Sequence, residues 1–289
     1  MTESFTRSPG LGSDAARGSA GGLAGRAGVI ASLAATTLGV AVSVGVYLLF
    51  VRTGDGQRID HAALARVNAG KDTNRQVAGL LNDLTIGVAV CMLAGCVVVA
   101  LLRRRYALAV AAVTLVVGAN VTTQLAKHEL LSRPGVGYGA TNTLPSGHTT
   151  LVVSLLVALL LVLPPVSRGS AVLFGSIGTT VVGVGMVVAG WHRPSDVVAA
   201  VGVTLAWTGL ISAALWLRSD ATWAGRGSTY RVSALLGAVV AIALAYAYGV
   251  RPDGSWRDLV VHGGTLAGIG LVAAVSLSIS ARVLPVTRR

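Results

Sequence analysis

Apolar residues fall in eight long blocks, at roughly 28–51, 79–102, 106–126, 148–167, 170–190, 197–217, 232–250 and 259–281, separated by short polar connections. A helix needs about 20 apolar residues to cross the hydrocarbon of a bilayer. Backbone groups in lipid must be paired internally, so the blocks are expected to be helices. The pattern therefore predicts an all-α, polytopic membrane helix bundle of about eight spans. Asp83 is the one acid or base that falls inside a block away from the polar motifs described below, and this scarcity fits the high cost of charge at bilayer depth. The first block is too long for the apolar region of a signal peptide and reads as a retained span. Residues 1–27, rich in Gly, Ser, Ala and Arg, predict a disordered cytoplasmic tail. Residues 28–217 form the membrane core. Residues 218–289 supply an inner loop and two more transmembrane helices, expected to be a peripheral pair. The longest outer connection is 52–77.

Composition sharpens this picture. Hydrophobic residues make up 53% of the 289 and charged residues 12%, against about 25% charged in ordinary soluble domains. The mean hydropathy is +0.73. A net charge of +12 raises the question of nucleic acid, but its distribution points to membrane topology and to no nucleic-acid partner. With the N-terminus inside, the inner segments hold thirteen basic and three acidic residues, and the outer segments ten and eight. Positive-inside counting thus puts both termini in the cytoplasm of a multi-pass cell-membrane protein, with inner basic loops in reach of anionic lipid headgroups. Cys91 and Cys96, five apart on one helix, point to different faces and read as small buried hydrophobes without a redox or zinc role. Gly264 and Gly268 form a GxxxG pattern, whose default reading is packing within the chain.

Three stretches concentrate the unusual polar residues: 127–134 (KHELLSRP), 145–148 (PSGH) and 191–196 (WHRPSD). Under the eight-span topology all three lie on the extracytoplasmic side. Lys127 and Arg133 put an ammonium and a guanidinium at one rim, a pair suited to phosphate. Ser146 is a plausible N-cap, and the unpaired amides after it form an anion site that His148 would face. His192 and Asp196, four apart at a helix start, share a face, and a carboxylate beside an imidazole fixes its tautomer and raises its basicity. His61, His128 and His262 read as non-catalytic.

These motifs resemble the type 2 phosphatidic acid phosphatase (PAP2) superfamily of membrane lipid phosphatases, which includes undecaprenyl pyrophosphate phosphatases. The resemblance covers roughly residues 78–215 and implies a six-span core, with the last two spans additional. Pro145-Ser146-Gly147-His148 matches one family motif in full, and His192 and Asp196 match the end of another. The resemblance implies that His192 is the nucleophile that takes the phosphoryl group, that Asp196 orients it, and that His148 protonates the leaving oxygen. It also implies that Lys127, Arg133, Ser146 and the Gly147 amide hold the phosphate oxygens, and that no metal or other cofactor is required. Two departures stand out. Lys127 and Arg133 are one residue closer than the family spacing. The family's serine and arginine six to seven residues before the nucleophile fall on Gly185 and Met186. A missing phosphate contact would cost on the order of 2–4 kcal/mol in the transition state, and Arg193, Arg251 or Arg257 could replace it.

The expected function is hydrolysis of a lipid phosphate or polyprenyl diphosphate at the outer face through a phosphohistidine. A lipid phosphotransferase and a degenerate relative that only binds anionic lipid are the alternatives. A transporter is disfavoured by the lack of intramembrane acids and of paired broken helices. The sequence leaves the oligomeric state open.

Overall fold

A computed structural model describes residues 11–67, 71–83, 86–218, 223, 227–250 and 256–286. Among the described residues ten α-helices follow one another: α1 (Leu11–Val46), α2 (Gly54–Arg66), α3 (Lys71–Asp83), α4 (Ile86–Leu102), α5 (Tyr106–Leu125), α6 (Gly147–Val162), α7 (Arg168–Val188), α8 (Pro194–Arg218), α9 (Gly227–Ala247) and α10 (Trp256–Val283). Among the described residues there is no strand. Single π-helical turns extend α1 over Tyr47–Val51 and α5 over Ala126–Leu130.

Among the described residues each of the eight apolar blocks contains helix, but six helices have the length and hydropathy to cross a membrane: 22–51, 106–130, 165–188, 194–218, 227–247 and 258–283. The other two, 87–102 and 147–162, are shorter than the roughly 20 residues a perpendicular span takes. The second block begins late because α3 is a separate helix and Asp83 closes it, so Asp83 lies outside the apolar helix. Helix also covers residues 11–27, where an unstructured tail was expected, while residues 1–10 lie outside the described residues. Ala, Leu and Arg favour helix, and α1 extends backward from its apolar part.

α1 lies along α8 at unusually short range. A Cβ added at Gly39 would sit 2.4 Å from the Ala206 nitrogen, and one at Gly209 2.4 Å from the Ser32 carbonyl oxygen. Hydroxyls seal the contact: Ser43 donates to the Ala199 carbonyl (3.1 Å) and Thr36 to that of Ala206 (3.3 Å). Small residues let membrane helices approach until such bonds form. The GxxxG pair does not act in this way, since nothing lies within 4 Å of a Cβ at Gly264 or Gly268. Cys96 is buried in the core and Cys91 is exposed, so one of the two cysteines departs from the expected burial.

α6 packs against α5, α7 and α8. α10 is not peripheral: the carbonyl of Val283, its last residue, accepts from Ser212 and Trp216, and those of Leu284 and Pro285 just beyond it accept from the buried guanidinium of Arg168. Helix C-termini leave four carbonyls without intrahelical partners, and donors from α8 satisfy the last of them, that of Val283, inside the bundle. The connection 52–77, which carried no structural expectation, contains α2 and the first part of α3, and α3 packs on α7.

Candidate active site

The chain reverses between α7 and α8 in five residues. Gly190, at φ +72°, permits the turn, and the Met186 carbonyl accepts from both the Trp191 and His192 amides (3.1 and 3.2 Å). α8 then starts at Pro194, whose missing N–H suits the first helical position. Asp196 sits two residues further on and reaches back to accept from the Arg193 amide (3.0 Å). This is the carboxylate half of a capping box, and it fixes the Asp196 rotamer before any chemistry is considered.

That rotamer brings Asp196 Oδ2 to 3.1 Å from His192 Nδ1. Asp196 is fully buried and His192 is 8% exposed. An ionised carboxylate only accepts, so in the neutral imidazole Nδ1 carries the proton and Nε2 keeps its lone pair. The same oxygen accepts from Thr143 Oγ1 at 2.6 Å, a residue that carries no motif. Asn142 holds the loop that presents Thr143: its Nδ2 donates to the Lys127, Leu131 and Leu144 carbonyls at 3.1 to 3.3 Å.

The 127–134 and 145–148 stretches meet this pair. The Ser146 amide donates to the Asp196 carbonyl at 3.0 Å, a direct bond between the starts of α6 and α8. Ser146 Oγ is buried and caps α6, accepting from the Thr149 amide (3.4 Å) and the Thr149 hydroxyl (3.0 Å). The Gly147 and His148 amides belong to the first turn, where no carbonyl four residues back serves them. His148 is exposed, with its ring 5.8 Å from that of Trp191, and lies within electrostatic reach of His192 and Lys127. Lys127 rides on the π-helical turn that ends α5, a local widening often found at functional sites.

Two guanidiniums lie within electrostatic reach of one another and of Asp60. Arg133 is 6% exposed; its Nε donates to the Gly139 carbonyl (3.2 Å), and neither terminal nitrogen has a partner. Burial lowers its affinity for a proton, and Arg193 adds to this. An unpartnered buried donor is costly, and Arg133 carries two such nitrogens. Arg193 uses Nη1 on Thr143 Oγ1 and Nη2 on the Tyr138 carbonyl, both at 3.1 Å, and its Nε is unpartnered. With Thr141, Thr143, Trp191 and His192 it lines a cleft of about 230 Å³ that α2 borders through Leu64. Among the described residues no group of three or more His, Cys, Asp or Glu could hold a metal ion.

Met186 is fully buried in an apolar cluster with Val184, Val187, Val188, Leu266 and Ile269, and its side chain is core. A Cβ at Gly185 would press on Leu81 of α3 at 3.3 Å. Of the residues that could replace the missing cation, Arg193 lines the cleft. Arg251 and the side chain of Arg257 lie outside the described residues.

Asp60 of α2 had no sequence signal. It is 2% exposed and accepts from Ser195. Burial, opposed by the Ser195 bonds, together with the charge on Asp196 lifts its pKa to about 6.

No curated protein and no solved structure matches the chain. The family comparison does find a match, over a segment that runs from within α5 through α8 and contains Lys127, Arg133, Ser146, Gly147, His148, His192, Arg193 and Asp196. Residues 117–221 match the PAP2 superfamily.

Proposed function

We propose that this protein is a membrane-embedded, metal-independent phosphatase that hydrolyses a lipid phosphate or polyprenyl diphosphate at the extracytoplasmic face through a phosphohistidine. The observation that carries the reading is the buried His192–Asp196 bond beside Arg133, whose terminal nitrogens have no partner. A nucleophile with a bare Nε2 and an unsatisfied cation together fit a phosphoryl group.

In this reading Nε2 of His192 attacks phosphorus while the bond to the leaving oxygen breaks and His148 protonates that oxygen. Asp196 stabilises the imidazolium character that develops on His192. Lys127, Arg133, Arg193 and the Gly147 amide hold the oxygens where charge develops. His148, now unprotonated, takes a proton from water as that water cleaves the P–N bond and releases phosphate.

Support for an amphiphilic substrate comes from an apolar groove of about 330 Å³ between α1, α5 and α8. Val40, Val44, Trp207 and Leu210 line it, and it reaches Ala126 and Pro145, which adjoin Lys127 and Ser146. A chain in this groove would leave its headgroup at the polar cleft. Orientation rests on the positive-inside count.

The test is phosphate release from diacyl and polyisoprenyl phosphates by the purified protein in excess chelator. Release is expected with the native chain, to vanish in His192→Ala, and to fall about 100- to 1,000-fold in kcat/KM for Arg133→Ala or Arg193→Ala. Near-native activity in Arg193→Ala would remove that residue from the mechanism. No release from any lipid by a folded sample would leave a binding role.

A further inference from the structure

α2 lies against the site and is fastened at both ends. In its first turn Gln57 Nε2 donates to the Val51 carbonyl (2.8 Å) and to that of Pro134 (2.9 Å), the residue after Arg133. At its last residue, Arg66 pairs with Asp258 of α10 (2.5 Å), and its carbonyl meets Nδ1 of the buried His262 at 3.0 Å. Between these anchors Asp60 faces the start of α8. Its Oδ1 accepts from the Ser195 amide at 3.1 Å and its Oδ2 from the Ser195 hydroxyl at 2.5 Å.

The first turn of a helix has amides without partners, and a side-chain oxygen just before it normally serves them. α8 cannot use this solution. The residue before it is Arg193, which has no acceptor in its side chain, and its first residue is Pro194. Ser195 therefore carries the first amide in need of a partner, and an acid 135 positions earlier in the chain supplies it. Asp196, which holds His192, is the next residue. A carboxylate also suits the positive end of the helix dipole.

We propose that Asp60 is a positioning residue of the phosphoryl-transfer site: by capping α8 from a distant helix, it holds Asp196 and His192 in register with Thr143 and Arg133. The proposal rests on the phosphohistidine reading. Asp60 and all of α2 lie outside the segment that matches the family, so this chain supplies support for the site from its own additional sequence. Arg193 and Arg133 sit within the electrostatic reach of Asp60, so the carboxylate also offsets two cations crowded at one cleft. α10, which carries no polar residue in the mechanism, acquires a part in it by anchoring the far end of α2.

The experiment compares Asp60→Ala, Asp60→Asn and Asp60→Glu in the full chain. Asparagine can remake both bonds, accepting from the amide through Oδ1 and donating to the hydroxyl through Nδ2. Asp60→Ala is expected to lower kcat about 100-fold, the scale of a 1 Å misplacement, with KM changed less than about threefold because no substrate contact is lost. Asp60→Asn should recover most of that loss. Asp60→Glu keeps the charge but displaces it, and should fall between the two; it serves as the displaced variant if the alanine protein does not fold. Independently of activity, the imidazole titration of His192, followed by NMR and assigned with His192→Ala, should shift in Asp60→Ala and return in Asp60→Asn. Native kcat and an unchanged His192 titration in the folded alanine or glutamate variant would overturn the proposal. Equal losses in all three variants that track only the folded fraction would also overturn it. If the native chain releases no phosphate, the phosphatase reading fails, and the His192 titration alone still decides whether Asp60 positions the pair.

Discussion

At the scale of single residues, the site depends on how few acceptors serve many donors. Asp196 Oδ2 takes His192 Nδ1, Thr143 Oγ1 and the Arg193 amide, so one oxygen ties the nucleophile, the 138–143 loop and the helix start together. Met186 marks the limit of reasoning by motif. A cation at its position in the related family reads, in a linear comparison, as a loss of phosphate binding. In the fold, the Met186 side chain is surrounded by Val, Leu and Ile, and only its carbonyl serves the site, through the Trp191 and His192 amides. Met186→Arg is therefore expected to destabilise the protein by several kcal/mol through an unpaired buried charge and to lower activity. Thermal unfolding and phosphate release measured on the same preparation check this; a stable and faster enzyme would show that the guanidinium reaches the cleft.

At the scale of elements, glycine decides which helices touch, and position matters more than pattern. Gly202 of α8 faces the Gly39 carbonyl and Ser43, so a Cβ there would lie 2.5 Å from Ser43 Oγ and 2.9 Å from the Gly39 oxygen. Gly202→Val should push α1 from α8 and break the Ser43 and Thr36 bonds, at about 1–3 kcal/mol or more. Gly264→Val and Gly268→Val meet open space and should leave the melting temperature close to native. A detergent-based thermal shift separates the two classes, and equal losses would mean that Gly264 and Gly268 bury a contact with another molecule. α6 shows a second economy: a helix of 16 residues, short for a span, is packed among α5, α7 and α8 and has its N-cap amide bonded to the first turn of α8.

At the scale of the whole molecule, the region that matches the family does not stand alone. α10 closes the bundle against α6, α7 and α8, and Arg168, Ser212 and Trp216 bond to carbonyls at and just beyond its C-terminus. Ending the chain after Arg218 would leave a buried guanidinium without its acceptors and expose the α7 face that α9 and α10 cover. Such a truncation is expected to give aggregated protein in size-exclusion chromatography, with no phosphate release. A monodisperse, active 1–218 fragment would show that the last two helices are dispensable. The apolar blocks alone determined that the protein is helical and membrane-embedded, because a backbone in lipid has few ways to pair its polar groups. The stretches around Lys127, His148 and His192 were legible for a similar reason: helix starts and reversals need particular residues at short, fixed spacing. What only the tertiary structure decided depends on contacts between residues far apart in the chain. The Asp60 cap on α8, the Thr143 bond to Asp196, the core burial of Met186 and the anchoring of α2 by α10 are of this kind. None has a local period or spacing, because each pairs a donor with an acceptor that the chain brings together only after the helices have packed.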